Sequence, residues 1–252
     1  MISIKSDYEI KLMKKAGHIV YLTHQYLKPY VKPGITTKEL DKLAYDFIIS
    51  QDATPSFLNY NGFPGTICTS INDEVVHGIP SNRKLQNGDI VKLDIGACYK
   101  GYHGDSAWSY ACGEVSDDIK YLMEHTEKAL YAGLNEIKAG VHLGDVSAAI
   151  EAYATEHKLG IVRELVGHGI GDHVHEEPDV PNYGKKGTGP ILKEGMTIAV
   201  EPMLNLGTHK IYILDDDWTI ITRDGLPSAH YEHSVLVTKD GYQILTGDDN
   251  FE

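Results

Sequence analysis

The chain of 252 residues is long enough to bury a sizeable core, and its 42% hydrophobic and 23% charged content is that of a folded globular protein, not a disordered or fibrous one. A formal charge of −13 disfavours nucleic acid and anionic membranes as partners. No apolar leader opens the chain, no run of about 18 apolar residues could span a membrane, and Cys68, Cys98 and Cys112 lack metal-ligand spacing, so a reducing cytoplasmic setting is expected.

Ser6-Asp7-Tyr8-Glu9 is a capping box and predicts a helix from Asp7 to about Leu27, stopped by Lys28-Pro29 and Lys32-Pro33-Gly34. A second box, Thr36-Thr37-Lys38-Glu39, opens a helix with Leu40, Leu43, Ala44 and Phe47 on one side. Residues 52–65, rich in turn formers and aromatics, read as a loop. Strands are predicted at 66–70, 75–76, 90–99 and 104–111, then helices at 117–137, capped by Ser116, and at 144–157. Later strands fall at 196–200, 218–222 and 232–238, with Asp215-Asp216-Asp217 as a hairpin turn. Two helices, a Lys-Pro-Gly or Lys-Ala-Gly stop and then strands occur in each half. This echo predicts one α+β domain over residues 1–252, with two related halves around one shared antiparallel sheet.

Three acids interrupt aliphatic runs that read as strands: Asp94 in Lys92-Leu93-Asp94-Ile95, Glu201 at the end of Ile198-Ala199-Val200, and Glu232 before His233-Ser234-Val235. An isolated carboxylate there would be protonated or would destabilise the fold, and bound cations are a natural remedy. Asp94 and Asp105 flank a Lys100-Gly101 turn signal, so a hairpin would aim both at one point. With His168 in Gly167-His168-Gly169, the set is hard oxygen plus one nitrogen, suited to two divalent ions and to hydrolysis of an amide or ester. Singly, each residue has an ordinary reading, Asp94 as a sheet-edge acid and His168 as a histidine in a glycine-rich turn.

Seven stretches carry a resemblance: residues 71–80 (Ile-Asn-Asp-Glu-Val-Val-His-Gly-Ile-Pro), 92–96, 101–106, 167–171, 175–178, 198–203 and 230–234. In content and order the chain resembles the type I methionine aminopeptidases of the short kind, without an N-terminal zinc-binding extension. The resemblance implies the pita-bread α+β fold, a pseudo-twofold sheet cradling two metals with helices on its outer face. By the same resemblance Asp94 would chelate one ion, His168 and Glu201 would bind the other, and Asp105 and Glu232 would bridge them. His77 and His175 match two histidines of the substrate cleft, His175 facing the developing oxyanion and His77 the next amide, while Glu201 would also be general base. Phe57, Tyr60, Phe63, Cys68 and Trp218 are candidates for an apolar pocket that takes the methionine side chain. The ions would be Co, Mn, Fe or Zn. The partners would be nascent polypeptide N-termini, with transient ribosome contact, and the protein would be a monomer.

Asp172 and Val174 depart from the family, which commonly has a basic residue and Phe there. The lost ring predicts a wider pocket and a more tolerant selectivity. Two readings compete with the aminopeptidase. An X-Pro dipeptidase shares the five ligands but usually carries a long domain ahead of them, and a non-catalytic binding protein on this fold would typically have lost ligands.

Overall fold

The computed structural model describes residues 2–248. In chain order the elements are α1 (Asp7–Leu27), α2 (Thr37–Ser50), β1 (Thr54–Pro55), β2 (Cys68–Ile71), β3 (Glu74–Val76), β4 (Ile90–Tyr99), β5 (Tyr102–Ala111), α3 (Asp117–Leu134) and α4 (Leu143–Glu156). There follow β6 (Gly160–Ile161), β7 (Gly167–Gly169), β8 (Glu176–Val180), β9 (Thr197–Val200), β10 (Met203–Asn205), β11 (Ile211–Ile213), β12 (Ile220–Thr222), β13 (Ser228–His230), β14 (His233–Val237) and β15 (Tyr242–Ile244).

Both predicted capping boxes form, Ser6 with Glu9 and Thr36 with Glu39, and each satisfies backbone N–H groups that a helix start leaves without partners. α3 stops three residues short of its predicted end, where Asn135 takes over as cap and residues 135–137 close in tight turns. The hairpin over the Asp215 run forms between β11 and β12. Asp216 accepts from the Trp218 and Thr219 N–H groups, so Trp218 lies in the turn and not in the strand.

Each half has its own core. α1 and α2 bury Ile19, Val20, Leu40 and Ile48 against Val91, Leu93 and Ile95 of β4. α3 and α4 bury Leu122, Leu130, Val146 and Ile150 against Ile198, Val200, Val235 and Val237 of β9 and β14. The expected single sheet is divided. All ladders are antiparallel, but hydrogen bonding groups the strands into one set around β4, a five-stranded sheet β15-β14-β9-β7-β8, and two three-stranded sets. Bulges at β12 and β7 and the shortness of most strands keep the ladders from merging. Side chains and backbone together close the seam: Ser234 Oγ donates to the Asp105 carbonyl at 2.7 Å and accepts from its N–H at 3.1 Å, Ser106 Oγ donates to the Glu232 carbonyl at 2.6 Å, and the Glu232 N–H donates to the Ala107 carbonyl at 2.8 Å.

His24 ties α1 to this seam. Its ring is buried, meets the Tyr110 hydroxyl at 3.0 Å and the Ser106 carbonyl at 3.1 Å, and stacks on Trp108. Burial pushes its pKa down to about 3. An unfolded chain takes up this proton near pH 6.5 and the folded one does not, so His24 adds full stability above about pH 6.5 and loses it as pH falls toward 3. His24→Gln is therefore expected to shrink the drop in unfolding free energy between pH 7 and pH 5 by on the order of 2 kcal/mol, measured by urea denaturation at both pH values. An unchanged drop would show that this ring is protonated in place. Among the described residues no helix is long and apolar enough to cross a membrane, and all three cysteines are free.

Candidate metal centre

The β4–β5 hairpin turns on Lys100 and Gly101, both at positive φ (50° and 87°), the two-residue turn that matches strand twist. Its register pairs Asp94 with Ala107 and Gly96 with Asp105, so the two aspartates are diagonal neighbours on one face. On the other side of the seam His168 pairs with Ala199, and the two-residue alternation carries that face on to Glu201. The glycines beside His168 are needed there. A Cβ on Gly167 would stand 2.3 Å from the Ala199 oxygen, and one on Gly169 would stand 2.2 Å from the Glu177 oxygen. His233 pairs with Val200, which leaves Glu201 and Glu232 facing each other just past the end of the ladder. Glu201 falls just past β9, where the predicted 196–200 strand also ends, whereas Glu232 precedes β14 and does not open it. Pro202 has no N–H to continue β9, and Glu232 precedes β14, its N–H held by the Ala107 carbonyl at 2.8 Å.

Asp94, Asp105, His168, Glu201 and Glu232 thus converge. His168 Nε2 lies 3.5 Å from Glu201 Oε1 and 3.9 Å from Asp105 Oδ2. Two overlapping sets have donor atoms within 4.8 Å of one another: Asp105, His168 and Glu232, and Glu201, His230 and Glu232. Crowding and burial act strongly on these acids. Burial raises Asp94 to about 6 and Glu201 to about 8, and burial with neighbouring carboxylates drives Asp105 and Glu232 well above the usual range. Four such carboxylates cannot all be charged in so small a space without cations. The hydrogen bonding agrees: Asp94 Oδ1, Asp105 Oδ1 and Glu232 Oε1 are buried with no partner, while His168 Nδ1 donates to the Gly169 carbonyl at 2.8 Å and so leaves the Nε2 lone pair free. The donor set fits divalent ions.

One cavity of about 230 Å³ is lined by these five residues together with His77, His175, Phe57, Tyr60, Phe63, Cys68 and Trp218. Its apolar end is a cluster of Phe57, Phe63, Cys68 and Val174, with Tyr60, Ile79 and Trp218 packed against it. Phe63 and Trp218 meet edge to face at 5.1 Å. Burial pushes the Cys68 thiol well up, so it stays neutral and acts as a small apolar wall. His77 follows β3 at φ 60°, a left-handed conformation rare outside glycine, and its ring stands edge-on to Trp218. Burial pushes its pKa down to about 4. His175 stands at the cavity mouth, Nδ1 2.9 Å from the Tyr60 hydroxyl, and desolvation holds its pKa below the usual imidazole value. Val174 is buried in the pocket wall, whereas Asp172 and His173 are exposed.

Two functional-looking residues escape the sequence reading. His230 is 1% exposed and faces Glu201 and Glu232, and its position two before Glu232 is the signal that could have found it. Lys92, on the Asp94 face of β4, is fully buried and donates to the Asn72 carbonyl at 2.8 Å, its pKa brought down to about 7 by burial. In the bare sequence such a lysine is indistinguishable from a solvated one, and only the fold reveals its burial.

Clustered acids and histidine beside a one-residue apolar pocket, on paired α+β halves, define a metal-dependent peptidase. The chain belongs to metallopeptidase family M24, whose pattern matches residues 11–239. It is 52% identical over 246 residues to methionine aminopeptidase 1 of Bacillus subtilis, covering 98% of this chain and 99% of that protein. The crystal structure of methionine aminopeptidase from Rickettsia prowazekii superposes with a TM-score of 0.97 at 43% identity, over 98% of this chain and 100% of that one. An Xaa-Pro dipeptidase from Bacillus anthracis shares the architecture at a TM-score of 0.80 and 29% identity, but this chain spans only 63% of it. The fold is the pita-bread fold that the resemblance implies.

Proposed function

We propose that this protein removes methionine from the N-terminus of nascent proteins and peptides by hydrolysing the first peptide bond at a dinuclear metal site. The observation that carries the reading is the junction, in one cavity, of an unpartnered carboxylate cluster and an apolar pocket. The cluster attracts a free α-amine and the pocket takes one side chain, which sets the count at one residue. Asp94 would hold one ion, His168 and Glu201 would hold the other, and Asp105 and Glu232 would serve both. When bound, the ions polarise the scissile carbonyl and acidify water. Glu201 takes the proton of the attacking water and passes it to the leaving amine. With the Tyr60 hydroxyl, 2.9 Å away, as donor to His175 Nδ1, Nε2–H is left to donate to the carbonyl oxygen as it becomes anionic. His77, edge-on to Trp218, faces the amide of the second residue. The ions are Co, Mn, Fe or Zn, and nascent chains bring a monomeric enzyme to the ribosome transiently.

Met-Ala-Ser and Ala-Pro peptides separate this reading from an X-Pro dipeptidase. With each of the four ions supplied anaerobically, methionine release and no cleavage of Ala-Pro is expected, and the reverse would overturn the assignment. In the same assay Val174→Phe is expected to fill part of the pocket and sharpen the preference for Met over other first residues several-fold. Equal selectivity of the two proteins would remove Val174 from the specificity wall.

A further inference from the structure

The imidazole of His230 has no ordinary structural role. Both ring nitrogens are buried and neither has a hydrogen-bond partner. The other buried histidines differ: His24 has partners on both nitrogens, His233 Nδ1 meets the Thr246 hydroxyl at 2.8 Å, and His168 Nδ1 meets the Gly169 carbonyl. A buried polar group without a partner loses its hydration with nothing in return, so such a ring calls for a ligand.

Its surroundings say which. His230 Nε2 is 3.6 Å from Glu201 Oε2 and 4.0 Å from Glu232 Oε2, too far to hydrogen-bond. Two donors bonded to one cation at about 2.1 Å stand roughly 3–4 Å apart. His168 shows the same spacing toward the opposite oxygen of Glu201, 3.5 Å from Oε1. Glu201 therefore presents one oxygen to each imidazole. The backbone holds His230 firmly in this position. Its N–H donates to Ser109 Oγ at 3.0 Å, Ser109 Oγ donates back to its carbonyl at 2.9 Å, and β13 pairs it with Met203.

We propose that His230 is a sixth protein ligand of the centre, placing Nε2 on the ion that lies across Glu201 from His168. The inference rests on the dinuclear reading above and adds to it a second nitrogen, one for each ion. The centre then favours borderline ions that take imidazole, such as Fe, Co or Zn, over all-oxygen ions such as Mg or Ca.

The test uses full-length protein, stripped of metal and titrated anaerobically with Co(II), as wild type and as His230→Gln. Expected is a wild type that binds two equivalents with one imidazole per cobalt by X-ray absorption. The variant is expected to lose half of that imidazole scattering and to bind one equivalent at least about ten-fold more weakly in calorimetry. Unchanged scattering and affinities in the variant would overturn the proposal. A wild type that binds a single cobalt would instead count against the dinuclear reading, and the histidine count on that one ion, two in wild type and one in the variant, would still decide His230. Should the variant not fold, wild type labelled with ¹⁵N-histidine and titrated with Zn(II) decides: two ligated imidazoles support the proposal and one overturns it.

Discussion

Glu201→Gln is expected to lower turnover on Met-Ala-Ser by about 10⁴-fold and to weaken retention of at least one metal ion. The carboxamide keeps the size of the side chain and removes its charge and its second acceptor oxygen. In the native site Oε1 lies 3.5 Å from His168 and Oε2 3.6 Å from His230, so the carboxylate faces both imidazoles and the amide would turn an N–H toward one of them. Only the ionised carboxylate can take a proton from water, and the amide cannot. Steady-state kinetics with metal analysis of the same preparation checks it. A variant with both ions bound and turnover within about ten-fold of wild type would remove Glu201 from proton transfer.

His175→Ala is expected to lower kcat by about 10²–10³-fold while leaving metal content and KM nearly unchanged. The ring touches Tyr60 and packs beside His168, with centroids 4.2 Å apart, at the mouth of the cavity. Its worth is therefore greatest where negative charge appears on the substrate oxygen, which is only as the bond breaks. Kinetics beside elemental analysis separates the alternatives. Loss of both ions would make His175 a ligand, and an unchanged kcat would leave the oxyanion to the metals alone.

How much of the fold and site is legible in the sequence differs by element, for physical reasons. α1 and α2 begin and end where their capping boxes, prolines and glycines put them, because helix termini are written in local chemistry. The β4–β5 hairpin is equally readable, since Lys100-Gly101 leaves few other turns open. β6, β7, β10 and β13, of two or three residues each, carry too little alternation to be seen and exist because distant partners pair with them. The acids of the centre stand out because carboxylates among aliphatics are anomalous. His230 does not, because a histidine beside a tyrosine is ordinary until Glu201, some thirty residues earlier in the chain, is folded against it. The pocket aromatics read equally well as core, and only the cavity distinguishes the two.

The placement of the donors across the seam reaches beyond chemistry. Asp94 and Asp105 hang from the hairpin packed under α1 and α2, while His168, Glu201 and Glu232 hang from the sheet packed under α3 and α4. On the proposed reading each cation is a rivet through both plates of the molecule. Ions that bind only the assembled halves add their binding free energy to the whole fold, so a starved cell would hold this protein in a looser, more protease-sensitive form and metal supply would set its lifetime as well as its rate.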